Sequence, residues 1–116
     1  MFVNINQVIA GVLQPYAFET LTVDATVGGV GFTTTKYKPV LNSADPNSSR
    51  DAARVFITVE TASCRYNYDG TAPTSTTGHL LNSGDVLTIV GDDAISRFRA
   101  IRTGASSSTL QVTYER

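Results

Sequence analysis

The nine residues AARVFITVE, 52–60, alternate throughout: Ala53, Val55, Ile57 and Val59 fall on one side, Arg54, Phe56, Thr58 and Glu60 on the other. That period of two belongs to a strand with one buried face, because a helix would mix the two sets on every side. The pattern recurs. In FETLTVDATV (18–27), Leu21, Val23 and Ala25 oppose Thr20, Thr22 and Asp24, and in TLQVTYER (109–116), Leu110, Val112 and Tyr114 oppose Gln111, Thr113 and Glu115. CRYNY (64–68) sets Cys64, Tyr66 and Tyr68 against Arg65 and Asn67. Helix formers are scarce, with Lys only at 36 and 38 and Glu only at 19, 60 and 115, while Ser and Thr abound. The sequence therefore predicts an all-β chain.

The 116 residues suffice for one domain with its own core. We expect an antiparallel β-sandwich or jelly-roll-like barrel of seven or eight short strands with little helix. The runs 52–60 and 64–68, parted by Thr61–Ser63, read as a hairpin. DVLTIV (85–90), apolar on both sides, reads as a central strand. YKPVL (37–41) reads as a weak strand that Pro39 confines to an edge. GDDAIS (91–96) predicts at most one helical turn capped by Asp92 or Asp93. NSADPNSSRD (42–51) has no apolar face and reads as a surface loop. Residues 1–15 form an apolar arm, expected to dock on the domain or a neighbouring subunit, and residues 16–116 form the sandwich.

Chemistry finds little to work with. One His and one Cys, His79 and Cys64, cannot supply the usual zinc ligand set, so no metal or other cofactor is expected. Cys64 in a strand belongs in the core. No G-x-S-x-G elbow accompanies His79, which reads as a loop residue at a strand edge, and no enzymatic activity is expected. VGGVGF (27–32) leads into TTTKYK, read as non-helical, so its glycines suit a turn or bulge rather than a phosphate cradle. The formal charge of −1 gives no general attraction to nucleic acid or an acidic membrane. Arg97, Arg99 and Arg102 read as a solvated strand face or a subunit contact. The N-terminal stretch lacks the basic flank of a signal peptide and is too short and polar to span a bilayer.

The segment RYNYDGTAPTSTTGHLLNSGD (65–85) turns at Asp69-Gly70 and then runs through small polar residues. Together with FRAIR and the closing LQVTYER, it resembles small virion structural proteins of tailed bacteriophages, over residues 64–116. The Y-x-x-D-G-x-x-P-T portion alone is also similar to small sandwich domains appended to chitobiase-type glycosidases. The phage resemblance implies a non-enzymatic building block located in the virion and assembled in the host cytoplasm. Its implied partners are further copies of itself and other virion proteins, such as the major capsid protein or a neck or tail protein. Capsid decoration, neck and tail-accessory roles all remain open at this point.

Phe2, Val3, Ile5, Val8, Ile9, Val12 and Leu13 concentrate apolar surface in the arm and are the first interface candidates. Pro73, which stiffens the loop after Asp69-Gly70, and His79 at its end are the others. The alternative reading is a small carbohydrate-binding sandwich in a receptor-binding position, with Tyr66 and Tyr68 as the rings to test, although the face they share with Cys64 reads as inward.

Overall fold

A computed structural model describes residues 13–39 and 50–116 of the chain. Where alternation is strongest, strands form. These are β1 (Pro15–Val23), β2 (Arg54–Glu60), β3 (Cys64–Asn67), β4 (His79–Leu81), β5 (Val86–Val90), β6 (Arg99–Arg102) and β7 (Ser108–Glu115). Two antiparallel sheets result, one in the order β1-β7-β2-β5 and one in the order β4-β3-β6. The expected sandwich is the fold, with seven strands among the described residues.

Its core is made by the inward sets of the alternating runs. Val55, Ile57 and Val59 of β2 and Leu110, Val112 and Tyr114 of β7 are buried, facing Cys64 of β3 and Ala100 of β6. Phe98 and Ile95, from the connection between β5 and β6, complete it at no more than 1% exposure. Burying side chains of this size contributes roughly 1.5–3 kcal/mol each before the cost of ordering them.

Four local expectations are corrected. First, β2 and β3 are not a hairpin: β2 pairs with β5 and β7, and β3 with β4 and β6. Thr61 takes a left-handed φ of 77°, which turns the chain out of one sheet and into the other. Two half-apolar strands can bury their faces by opposing each other as well as by lying side by side, and their sequences do not distinguish the two. Second, β5 lies at a sheet edge, with Val86 and Val90 59% and 71% exposed. An unbroken apolar run signals burial on both faces, but here only Ile89 is buried.

Third, TTTKYK does contain one turn of helix, α1 (Thr34–Tyr37), so Tyr37 ends a helical turn instead of opening a strand. Val40 and Leu41 lie outside the described residues. The Thr33 hydroxyl and N–H ahead of this turn both donate to the Glu19 carboxylate, at 2.6 and 3.2 Å. Fourth, the second helix, α2 (Asp92–Arg97), starts after Gly91, with no side-chain cap. Asp92 and Asp93 sit in its first turn, where they suit the dipole, and Asp93 pairs with Arg97 one turn on at 3.2 Å.

VGGVGF makes the anticipated turn, with φ of 89° and 86° at Gly28 and Gly29. A side chain at Gly29 would come within 2.9 Å of Arg99 Cβ, so the close approach that lets Val30 bridge to Ala100 requires glycine there. At the N-terminal end, Gln14 exchanges backbone hydrogen bonds with Arg116 at 2.9 and 3.0 Å, so the folded domain already includes residue 14.

Candidate binding surface

Two exposed features share one side of the sandwich: a cluster of rings and a strand edge that no described strand pairs with. The rings follow from β3–β4 pairing. Tyr66 lies directly opposite His79 in the ladder, and Tyr68 is two residues further along the same face. Ring centres stand 5.3 Å apart for Tyr66–His79, 6.0 Å for Tyr66–Tyr68 and 6.3 Å for Tyr68–His79. Beneath them Tyr66 stacks on buried Phe98 at 5.6 Å, which fixes the cluster to the core. Burial raises the Tyr66 phenol, so it stays neutral as a donor and acceptor.

Two shallow clefts open on these rings. One, of about 270 Å3, runs between Tyr66 and Tyr68 and the β5 residues Leu87–Val90. The other, of about 240 Å3, lies among Asn67, Tyr68, Asp69 and His79. The Thr71 N–H donates to the Asp69 carboxylate at 2.9 Å, and that bond holds the Asp69 pKa below its usual value. Amide, carboxylate, phenol and stacked faces together suit a polar ligand with one flat apolar side, the chemistry of a sugar ring.

The loop after Asp69-Gly70 is tied mainly to itself and to β3. Thr74 and Thr77 close it through backbone and hydroxyl bonds, and Arg65 reaches the Gly78 carbonyl at 2.9 Å. Pro73 is buried and packs near Gly78, so it offers little surface of its own. With Ala72, Thr74 and Ser75 it forms one wall of a cleft of about 520 Å3, whose other walls include Ala25, Val27, Ile101 and Arg102.

Of the interface candidates, His79 is exposed and belongs to the ring cluster. Leu13 is half-buried. Phe2, Val3, Ile5, Val8, Ile9 and Val12 lie outside the described residues. The three arginines are engaged locally: Arg97 with Asp93, Arg99 with the Phe98 carbonyl at 2.7 Å, and Arg102 with Ser107. Cys64 is fully buried, and burial raises its thiol. Among the described residues no hydrogen bond joins His79 to a serine or carboxylate, and no three His, Cys, Asp or Glu side chains gather as a metal site. No described helix is long and apolar enough to cross a membrane.

The outer face of the four-stranded sheet emerges only from the register. Phe18, Thr113, Phe56 and Thr88 lie in one row across β1, β7, β2 and β5. Phe18 is 54% and Phe56 42% exposed, and Val86 and Val90 lie on the same face. Around them runs a polar network: Thr20 to Gln111 at 2.8 Å, Gln111 to Glu60 at 3.1 Å, and Arg54 paired with Glu115. Alternation had already put Phe56 on the polar side of its strand, and that misplaced ring was the available signal. No protein-family model and no curated protein matches the chain.

Proposed function

We propose that this chain is a non-enzymatic structural component of a bacteriophage virion, self-associating and bound to other virion proteins at the shell, neck or tail. The observation that carries it is the outer face of the four-stranded sheet, where Phe18, Phe56, Val86 and Val90 leave apolar surface in water. Several large apolar side chains exposed on one sheet face, interspersed with threonines, suit an association surface. The Thr-rich face around these side chains suits repeated contacts in a symmetric assembly. The virion setting follows from the resemblance of residues 64–116 to tailed-phage structural proteins.

Quantitative mass spectrometry of purified particles tests this reading. The chain should be present either at a level comparable to the coat protein or at the copy number of a ring. Its absence from particles would overturn the reading. The cluster of Tyr66, Tyr68 and His79, with Asn67 and Asp69 beside it, favours a second reading as a carbohydrate-binding module. Glycan-array binding that disappears in Tyr68→Ala, with the fold intact, would support that second reading.

A further inference from the structure

We propose that β5 is a self-pairing edge: two copies join β5 to β5 antiparallel, about a two-fold axis through Thr88, into one continuous eight-stranded sheet. This rests on the self-association put forward above and names the surface and the geometry that achieve it.

The first argument is hydrogen bonding. Gly91 N–H donates to the Ala53 carbonyl at 2.8 Å, and Val59 N–H to the Asp85 carbonyl at 3.0 Å, at the two ends of the β2–β5 ladder. Antiparallel alternation then puts the bonded pairs between them at Val55/Ile89 and Ile57/Leu87. Val86, Thr88 and Val90 consequently turn their N–H and C=O groups away from β2, toward the open edge.

The second is contrast with the opposite edge of the same sheet. β1 begins with Pro15, which has no N–H, and carries a register irregularity between Pro15 and Ala17. It is also flanked by the segment that ties Tyr16 to the Lys36 carbonyl at 2.6 Å. Proline, bulges and covering segments are the usual protections of an edge, as are inward or flanking charges. Val86-Leu87-Thr88-Ile89-Val90 contains no proline, bulge or charge and no described segment covers it; its only charged neighbours, Asp85 and Asp92, lie beyond its ends, and Val86 and Val90 are largely exposed.

The third is self-complementarity. The strand reads almost the same in both directions from Thr88: Leu87 and Ile89 flank it, then Val86 and Val90. An antiparallel pair centred there sets Thr88 against Thr88 and Val86 against Val90, so the outward-turned groups meet partner for partner. Leu87 and Ile89 of the second copy then fall on the side where Tyr66 and Tyr68 line the cleft along this edge. The five paired residues carry no charge, while Asp85 of each copy comes near Asp92 of the other at the two ends of the seam, a repulsion that further weakens the pair and that salt should relieve. A five-residue edge with one filled cleft is smaller than a standard interface of about 1,600 Å2, so the dimer belongs in the weak, concentration-dependent class.

Sedimentation velocity on the full chain across a concentration series, up to the millimolar range, tests the pairing. The unaltered chain should pass from monomer to dimer, and Thr88→Lys, which opposes two ammonium groups at the axis, should weaken association at least tenfold. Because Thr88 is exposed, the melting curve of that variant at low concentration should be unchanged. Thr88→Cys should give a covalent dimer with a short thiol-to-thiol crosslinker, since bonded antiparallel partners stand about 5.5 Å apart at Cα with their side chains on the same face. An oligomer indifferent to Thr88→Lys would overturn edge pairing while leaving self-association intact. A chain that stays monomeric throughout, with no covalent Thr88→Cys dimer, would overturn both.

Discussion

Tyr114 and Tyr68 belong to the same line of rings, yet one is sealed and the other open to water. The line runs from Tyr16 through Tyr114, Phe32, Phe98 and Tyr66 to Tyr68, with neighbouring ring centres between 4.3 and 6.5 Å apart. Tyr114 and Phe98 are 0% exposed, whereas Tyr68 is 47% exposed. Strand alternation places both tyrosines on the side that should face inward. What separates them is cover. Phe32 and Thr33, from the segment after the Gly28-Gly29 turn, close over Tyr114, whose hydroxyl donates to Glu19. No described residue does the same for Tyr68. Alternation thus assigns a face, and a second segment decides whether that face becomes core or a site.

The largest effect expected is at the junction of the two ends. Phe98→Ala removes a ring stacked on Phe32 at 4.3 Å and on Tyr66 at 5.6 Å. It should cost about 3–5 kcal/mol in denaturant unfolding and loosen the open cluster together with the closed one. A loss under about 1 kcal/mol would mean that the two ends are not mechanically joined there.

Next comes Tyr114→Phe, which keeps the ring and deletes the hydroxyl that donates to Glu19. The expected loss at neutral pH is about 1–2 kcal/mol, read as a shifted denaturant midpoint at constant slope. Burial, and then the Glu19 carboxylate, raise the Tyr114 phenol far above its ordinary value of 10.0. A raised folded pKa gives stability that is complete below pH 10 and is lost as pH climbs toward the folded value. Tyr114→Phe should therefore flatten the alkaline limb of a stability-against-pH curve.

Tyr68→Ala sharpens the comparison from the open side. Nearly half of that ring is already in water, so the stability loss should stay below about 1 kcal/mol. Any ligand of the cluster, by contrast, should lose its stacking surface. A loss matching that of Phe98→Ala would make the open end part of the core after all.

The smallest effect is electrostatic. Asp69 beside the open cluster and Asp24 after β1 each accept bonds from the threonine two residues on, which lowers both carboxyl pKa values from 3.8. With folded values below unfolded ones, their contribution is complete above about pH 4 and is lost as pH falls through the folded values. The double variant Asp24→Asn/Asp69→Asn keeps an acceptor in both turns. It should show a shallower acid limb in thermal melts while changing little at neutral pH.

The inward sets of β2 and β7, and the buried place of Cys64, were legible in the sequence because a period of two leaves no other assignment. Sheet membership was not. The step from β2 to β3 turns on the φ of Thr61, a β-branched residue in a conformation its type disfavours, and nothing in TAS announces it. The central reading of β5 failed because apolar composition reports a tolerance for burial, and an edge strand can have the same composition as a strand covered on both sides. In the site, Tyr66 and Tyr68 could be placed on a shared face from spacing alone. That His79 joins them depends on β3–β4 pairing across the long loop, and the burial of Pro73 depends on how that loop folds back toward β3.

Cys64 gives the molecule a property that none of its contacts describes. It is the chain's only thiol, and no part of it reaches water. A thiol reagent can meet it only when the two sheets part. Its rate of labelling in native buffer is therefore a clock that ticks at each opening. Slow ticking records a closed sandwich, and any partner that clamps the sheets together should slow it further, without a probe having to be attached.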